Sequence, residues 1–186
     1  MSTVAVFLAD GFEEVEALAV VDLCRRAGLD TPMISIMGDK EVNGSHGIKV
    51  LADKLIEELN FDDVDMIMLP GGLKGTQGLE NCSLLTEKIK EFDVNGRWIS
   101  AICAAPTVFA HMGLLKGRNS CCYPSMEEHL VKADAVVSQE PVEVSDHITT
   151  SRGMGTAMEL GLMIVERFQG REAADELART VVYKRI

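Results

Sequence analysis

The chain has 186 residues, of which 47% are hydrophobic, so it is long and apolar enough to form one domain with a buried core. Its 29 acidic and 18 basic residues give a formal net charge of −11, which argues against non-specific binding to nucleic acid. No apolar run approaches the roughly 18 residues of a membrane helix, and the N-terminus lacks the basic segment of a signal peptide. We therefore expect one cytoplasmic domain over residues 1–186, with neither nucleic acid nor a membrane as partner.

Apolar runs and amphipathic stretches alternate along the chain. A strand is predicted at 3–9, followed by a helix from Glu13 to Ala27 that Gly28 should stop. The same reasoning predicts strands at 32–37, 65–72 (ending in a turn) and 97–102, and helices at 83–94 and 105–115. Between the strands at 32–37 and 65–72 it predicts a turn-rich stretch at 38–47 and a short extended segment at 48–50. Beyond Gly117 the pattern is less regular, and it predicts a helix at 125–131, strands near 135–138, 141–144 and 147–150, and helices at 155–168 and 171–182.

This alternation predicts a three-layer α/β sandwich with a mainly parallel sheet, because right-handed crossovers place helices on both faces. Ligands of such folds bind beyond the carboxyl ends of the strands, where the strand order switches. We expect three turns to meet at that edge, at residues 10–14, 70–75 and 103–106.

Five cysteines occur at irregular spacing, at Cys24, Cys82, Cys103, Cys121 and Cys122. Because the number is odd and the chain needs no cross-links, we expect free thiols. The adjacent pair Cys121 and Cys122 precedes His129, but adjacent cysteines are poorly placed for tetrahedral zinc and no second ligand pair follows. We expect no metal.

Cys103 ends an apolar run, and small residues and Pro106 follow it at the start of a predicted helix. Amides near a helix N-terminus carry partial positive charge, which favours a thiolate over a thiol. The local pattern fits a nucleophile and a small buried residue equally well, because free cysteine is often buried.

Two adjacent glycines, Gly71 and Gly72, follow the buried strand that ends at Pro70. Such a turn can present bare amides to an oxyanion without side-chain obstruction. Taken alone, the pair is more simply interpreted as a tight turn.

Three acidic residues, Glu13, Glu14 and Glu16, open the first helix, where carboxylates interact favourably with the helix dipole. Two of them are expected to do only that. Glu16 shares a side of the helix with Glu13 and lies close to the sheet edge. A buried, protonated Glu16 would donate a hydrogen bond to a thiolate, whereas an ionised Glu16 would repel it and raise the cysteine pKa.

None of the four histidines directly follows Cys103. His111 lies about two helical turns beyond it, too far for direct contact, and His129 and His147 are expected at the surface. The glycine-rich segment 71–78 lacks the spacing of a Walker A loop or a dinucleotide fingerprint. No cofactor is expected.

Five segments together resemble the DJ-1/ThiJ/PfpI superfamily, in particular its DJ-1/YajL-like branch. They lie in this order along almost the whole chain, at residues 9–16, 22–28, 69–72, 101–107 and 150–157. The resemblance implies a single DJ-1/PfpI-like domain with a flavodoxin-like fold, similar to that of class I glutamine amidotransferases.

The resemblance also implies a set of site residues. Cys103 would be an oxidisable nucleophile on a strand-to-helix elbow, and Glu16 its partner carboxylic acid. The backbone amides of Gly72 and Ala104 would form the oxyanion pocket, which Gly71 adjoins.

The implied function is cofactor-independent chemistry on reactive carbonyls, either glyoxalase activity (methylglyoxal to lactate) or deglycation of early glycation adducts, in a homodimer with the site near the interface. One alternative is a redox sensor or chaperone of oxidative stress whose Cys103 oxidises to sulfinate. Another is a structural relative whose site has lapsed. A PfpI-type cysteine peptidase is the least favoured, because Ala104 follows Cys103 and those enzymes pair their cysteine with a histidine.

Two positions depart from the family pattern. Tyr123-Pro124 stands where many relatives carry histidine and proline in the pocket, and a tyrosine with a pKa near 10 is a poor base at neutral pH. His46 stands where close relatives have an arginine that can reach the partner's pocket, which removes a cation expected to recognise anions.

Overall fold

A computed structural model describes residues 1–184. The strands are short, with two to five residues each. In chain order they are β1 (Val4–Leu8), β2 (Met33–Ser35), β3 (Glu41–Asn43), β4 (Lys49–Leu51), β5 (Lys54–Leu55), β6 (Met66–Leu69), β7 (Trp98–Ile102), β8 (Asn119–Ser120), β9 (Val136–Val137), β10 (Val142–Ser145) and β11 (Ile148–Ser151).

The helices alternate with the central strands. They are α1 (Glu14–Arg26), α2 (Leu73–Asn81), α3 (Ser83–Val94), α4 (Pro106–His111), α5 (Glu127–Lys132), α6 (Ala157–Gln169) and α7 (Arg171–Thr180). Short 3₁₀ turns lie at Ile56–Glu58, Phe61–Asp63, Pro124–Met126 and Met154–Thr156. None of the helices in the described residues is both long enough and apolar enough to cross a membrane.

Seven strands form the main sheet in the order β10-β11-β7-β6-β1-β2-β5. All neighbours are parallel except β10, which pairs antiparallel with β11 at the edge. The strand order switches at β1, since β2 lies on one side of it and β6 on the other. The crevice outside β1 and β6 is where ligands of such folds bind, and the segments that follow β1, β6 and β7 meet there.

Both faces of the sheet are covered, because successive side chains of its buried strands point to opposite layers. In β1, Val4, Val6 and Leu8 pack with the layer of α1, α6 and α7, whereas Ala5 and Phe7 pack with the layer of α2 to α5. The fold is therefore the expected three-layer, mainly parallel α/β sandwich.

The predicted elements differ from the structure in a few places. The helix predicted at 105–115 ends at His111, and a turn leads to Gly113, whose φ of 75° a helix does not permit. Helix α2 was missed because its two glycines, Gly75 and Gly78, mask the periodicity. The stretch at 38–50, predicted as turns and one extended segment, contains the β3–β4 hairpin.

Candidate active site

Cys103 lies in the turn between β7 and α4, at the carboxyl edge of the sheet. Its φ is 65°, in the left-handed region that residues other than glycine rarely adopt. Two hydrogen bonds hold this conformation: the Cys103 amide donates to the carbonyl oxygen of Ser151 at 2.9 Å, and the Tyr123 amide donates to the Cys103 carbonyl oxygen at 2.8 Å. These bonds keep the Cys103 backbone in a conformation that costs about 1–3 kcal/mol of strain. The Cys103 side chain is partly exposed at the sheet edge.

Glu16, in the first turn of α1, is fully buried. Its Oε2 accepts a hydrogen bond from the Gly71 amide at 2.9 Å, and its buried Oε1 has no partner of ordinary hydrogen-bond geometry. Burial raises the pKa of Glu16 to about 7, although its interactions with the Cys103 thiol and the Gly71 amide act in the opposite direction. Because Oε2 accepts a hydrogen bond, the proton of the neutral acid belongs on Oε1.

The two glycines after β6 are required by what surrounds them. A Cβ atom added to Gly71 would lie 2.5 Å from Glu16 Oε2 and 2.6 Å from Cys103 Cβ. Gly72 has a φ of 87°, and a Cβ atom there would lie 2.2 Å from the carbonyl oxygen of Gly11. The two glycines therefore do more than make a tight turn. Because Gly71 has no side chain, Cys103 and Glu16 can both pack against its backbone and lie close to each other.

While Glu16 is ionised, Cys103 stays a protonated thiol at neutral pH. Burial, followed by the charge of Glu16, raises the pKa of Cys103 to about 12, and hydrogen bonds from the Ala104 and Gly72 amides only partly oppose this. The expectation that the helix N-terminus would favour a thiolate is thus outweighed, because α4 has only six residues and the carboxylate is adjacent. When Glu16 holds a proton, its repulsion ends, so the two groups titrate as a pair.

A cavity of about 580 Å³ opens in front of the sulfur. Cys103, Ala104, Gly72 and Tyr123 border it, and His46 lies on its rim. Glu16 and Gly71 do not border it, since they lie behind Cys103 on the side of the core. The predicted site residues are therefore brought together, with the carboxylic acid shielded from bulk water and the thiol open to a ligand.

Tyr123 is half exposed, and its ring lies over Gly153, where an added Cβ atom would be 3.4 Å from the ring. Among the histidines, all of which lie within the described residues, only His46 borders the cavity, and its Nδ1 is 3.1 Å from Glu14 Oε2. A histidine base beside Cys103 is thus absent from the described part of the cavity wall.

The other histidines and cysteines lie outside this site. His111 is bound to Glu80 at 2.6 Å and to His129 at 2.9 Å. The prediction that His147 lies at the surface is wrong, because its side chain is only 15% exposed and bonds to Asp93 at 2.8 Å. All five cysteines are free thiols.

Two residues that shape the site were missed by sequence reasoning. Ser151 fixes Cys103 through its carbonyl oxygen, and the only signal for it was its place in a family segment. Asp10 borders the cavity, and its Oδ1 accepts a hydrogen bond from the Asn43 amide at 2.9 Å, which attaches the β3–β4 hairpin to the sheet edge. Its position directly after β1 is a signal that could have identified it.

Fold and site together define an α/β protein with a cysteine and a buried carboxylic acid paired at the sheet edge. The model of the DJ-1/PfpI family matches residues 2–167, and the chain belongs to this family.

Individual relatives extend the comparison. The chain is 40% identical over 178 residues to "Protein DJ-1 homolog B" of Arabidopsis thaliana, which covers 95% of the chain but only 40% of that longer protein. It is 30% identical over 167 residues to "Glutathione-independent glyoxalase DJR-1.2" of Caenorhabditis elegans, covering 90% of the chain and 88% of that protein. The solved structure described as "Toxoplasma gondii DJ-1, oxidized" superimposes with a TM-score of 0.93 at 33% identity, covering 98% of this chain and 99% of that one.

Proposed function

We propose that this protein is a cofactor-independent enzyme that uses Cys103 to convert 2-oxoaldehydes or early glycation adducts. The observation that carries the proposal is the pairing of Cys103 with the buried acid Glu16 across Gly71, at the floor of an open cavity. The Cys103 thiol is accessible from the cavity, and the adjacent Glu16 carboxyl can gain or lose a proton near neutral pH. This pair suits addition of the thiol to a carbonyl followed by proton transfer. The glyoxalase name of the Caenorhabditis elegans relative supports this reaction class.

For methylglyoxal the steps balance without an oxidant. Ionised Glu16 takes the Cys103 thiol proton as the sulfur forms a bond to the aldehyde carbon, the carbonyl electron pair moves to oxygen, and that oxygen then receives the proton from Glu16. The Gly72 and Ala104 amides, which hydrogen-bond to the sulfur, would stabilise the oxyanion. Glu16 then takes the carbon-bound proton and returns it to the neighbouring carbon, while the hydroxyl proton moves to the ketone oxygen and a carbonyl re-forms on the carbon bound to sulfur, which leaves a lactate thioester. Water cleaves the carbon–sulfur bond, releasing lactate and restoring the thiol.

Incubation with methylglyoxal and measurement of lactate tests the proposal. Cys103→Ser should abolish turnover, because a serine hydroxyl is a far weaker nucleophile than a thiolate. Cys82→Ser, which removes a partly buried thiol outside the cavity, is the matched control and should retain wild-type turnover. Lactate formation that survives Cys103→Ser would rule out this mechanism.

A second candidate function is redox sensing by the same cysteine. Support comes from the amides of Gly72 and Ala104 directed at the sulfur, which would stabilise a sulfinate, and from the relative described as oxidized. Peroxide would supply both oxygens, each peroxide molecule transferring one to sulfur and leaving as water. Intact-mass analysis after mild peroxide discriminates the two functions: gain of two oxygens at Cys103, with no lactate from methylglyoxal, favours the sensor.

A further inference from the structure

Three side chains meet at the rim of the cavity and offer one nitrogen and two oxygens. Glu13 and Glu14 lie at the start of α1, and His46 lies in the β3–β4 loop; one donor atom from each is within 4.8 Å of the others. His46 Nδ1 is 3.1 Å from Glu14 Oε2 and 3.8 Å from Glu13 Oε2. Donor atoms around a tetrahedral zinc at about 2.0–2.1 Å lie roughly 3.4 Å apart, so these separations bracket the spacing that zinc requires.

An orphaned carboxylate oxygen supplies an independent indication of a missing ligand. Glu13 is only 9% exposed, and its Oε2 is closed to solvent without any hydrogen-bond partner. Within residues 1–184, no lysine or arginine forms an ion pair with Glu13 or Glu14, and His46 is the sole basic group in contact with them. A buried carboxylate oxygen without a partner is costly, and a cation between these groups would satisfy it.

The rest of the arrangement is already fixed by hydrogen bonds. Glu14 Oε1 accepts a bond from the His46 amide at 2.7 Å, and Glu14 Oε2 accepts one from Ser45 Oγ at 3.1 Å. A Cβ atom added to Gly44 would lie 2.2 Å from Glu14 Oε1, so the loop packs directly on this carboxylate. Outer contacts of this kind orient metal ligands. Metal binding would exchange the contacts of His46 Nδ1 with Glu14 Oε2 at 3.1 Å and with Ser45 Oγ at 3.0 Å for bonds to the metal.

We propose that Glu13, Glu14 and His46 bind a divalent transition metal ion, Zn²⁺ by the class of their donor atoms. Three protein ligands leave a fourth position open, and because Glu13 and His46 border the cavity, that position is available to a carbonyl or carboxylate oxygen bound there. The proposal departs from the expectation of no metal, which considered only ligands close together in the sequence. It does not depend on the proposed function, since binding requires no turnover.

Titration with ZnCl₂ in a calorimeter tests the site. The Cys103→Ser protein serves as the background, so that a thiolate in the same cavity cannot bind the metal. We expect one Zn²⁺ per chain, and weakening of at least about tenfold in His46→Gln and in Glu13→Gln. His111→Gln is the matched control, because His111 also pairs with a carboxylate, at 2.6 Å from Glu80, but away from the cavity, and binding should be unchanged.

The proposal is overturned if the Cys103→Ser protein binds no Zn²⁺, or if His46→Gln and Glu13→Gln bind it as tightly as their background. The His46 side chain is 74% exposed, so its replacement leaves the fold intact and the comparison interpretable even if Glu13→Gln is unstable. Lactate formation is recorded separately in the wild-type protein, so a failure of the metal site and a failure of the proposed reaction are distinguished.

Discussion

At the scale of single residues, the site depends on where one proton resides. Glu16 is a carboxylic acid whose pKa is raised to about 7, and Cys103 is a thiol whose pKa is raised to about 12. Burial is the largest cause of both raised pKa values, and the charge of Glu16 further raises the pKa of Cys103. The pair has the same total charge whether the proton is on Glu16, with Cys103 as thiolate, or on Cys103, with Glu16 ionised. In the first of these states Glu16 can donate a hydrogen bond next to the sulfur.

Glu16 should make the protein less stable as pH rises from about 4.5 to about 7. Its pKa is higher in the folded protein than the ordinary value of 4.5, so in this range the folded state binds more protons than the unfolded state. The free energy of unfolding therefore falls with increasing pH, by about 3 kcal/mol in total, and levels off above pH 7. Glu16→Gln removes this dependence. In urea unfolding at pH 4.5 and pH 8, the free energy of unfolding of the variant relative to that of the wild type should therefore be higher at pH 8 than at pH 4.5.

Glu41→Gln provides the control for this pH dependence, because Glu41 is exposed in the β3 strand. Its stability profile should follow that of the wild type. An unchanged difference between Glu16→Gln and wild type at the two pH values would contradict a raised pKa at Glu16.

Gly71→Ala should separate the two reacting groups. The added Cβ atom, 2.5 Å from Glu16 Oε2 and 2.6 Å from Cys103 Cβ, forces both side chains apart and costs about 1–3 kcal/mol of stability. Lactate formation from methylglyoxal should fall to background while circular dichroism remains that of a folded protein. Gly155→Ala, where an added Cβ atom meets nothing within 4 Å, should keep both stability and turnover.

At the scale of elements, α1 connects the site to the core. Its first turn carries Glu16, and its later turns pack against α6, where Leu23 lies directly over Gly161. A Cβ atom added to Gly161 would lie 2.6 Å from Leu23 Cδ1 and 3.3 Å from Leu23 Cβ. The absence of a side chain at Gly161 thus allows α1 to approach α6 closely at Leu23.

A double-mutant cycle between these two helices should show strong coupling. Leu23→Ala removes a buried side chain and should cost about 2–5 kcal/mol. Gly161→Ala should destabilise the wild type through overpacking but should be neutral or stabilising in the Leu23→Ala background, where the space is vacant and alanine is the better helix former. Urea unfolding of the four proteins measures the coupling, and effects that add within about 0.5 kcal/mol would contradict direct packing.

At the scale of the whole molecule, exposed apolar side chains on α1 and on the β3–β4 hairpin form a candidate interface surface. Val15, Ile48 and Leu51 are 49%, 55% and 71% exposed, and the Ile48 amide lies 3.4 Å from Glu14 Oε1, which joins the start of α1 to the β3–β4 hairpin. By contrast, Val20 and Leu23 of the same helix are buried. Grouped exposed apolar residues are typical of subunit interfaces.

We expect this surface to form the homodimer implied by the family resemblance. Light scattering after size exclusion should give the mass of two 20.3 kDa chains for the wild type and of one chain for Val15→Arg, because a charge buried against an apolar partner is strongly unfavourable. Val94→Arg, at an 84% exposed position at the end of α3, should remain dimeric. A monomeric wild type, or a dimeric Val15→Arg, would place any interface elsewhere.

The sequence by itself determined the fold class and the candidate pair Cys103 and Glu16. Alternating apolar and amphipathic runs report which side chains face a core, and this local information is enough to predict a parallel α/β sandwich. The same information failed at α2, whose glycines hide the helical periodicity, and at the β3–β4 hairpin, whose strands have only three residues each.

Only the tertiary structure decided how the site residues act on one another. The strand order brings the segments after β1, β6 and β7 to one edge of the sheet. There Gly71 packs against both Cys103 and Glu16, and its lack of a side chain lets them lie close together. The tertiary structure also sets the burial that keeps a proton on Glu16, and it places His46 against Glu13 and Glu14. Burial and proximity depend on residues far apart in the chain, and local periodicity contains no information about them.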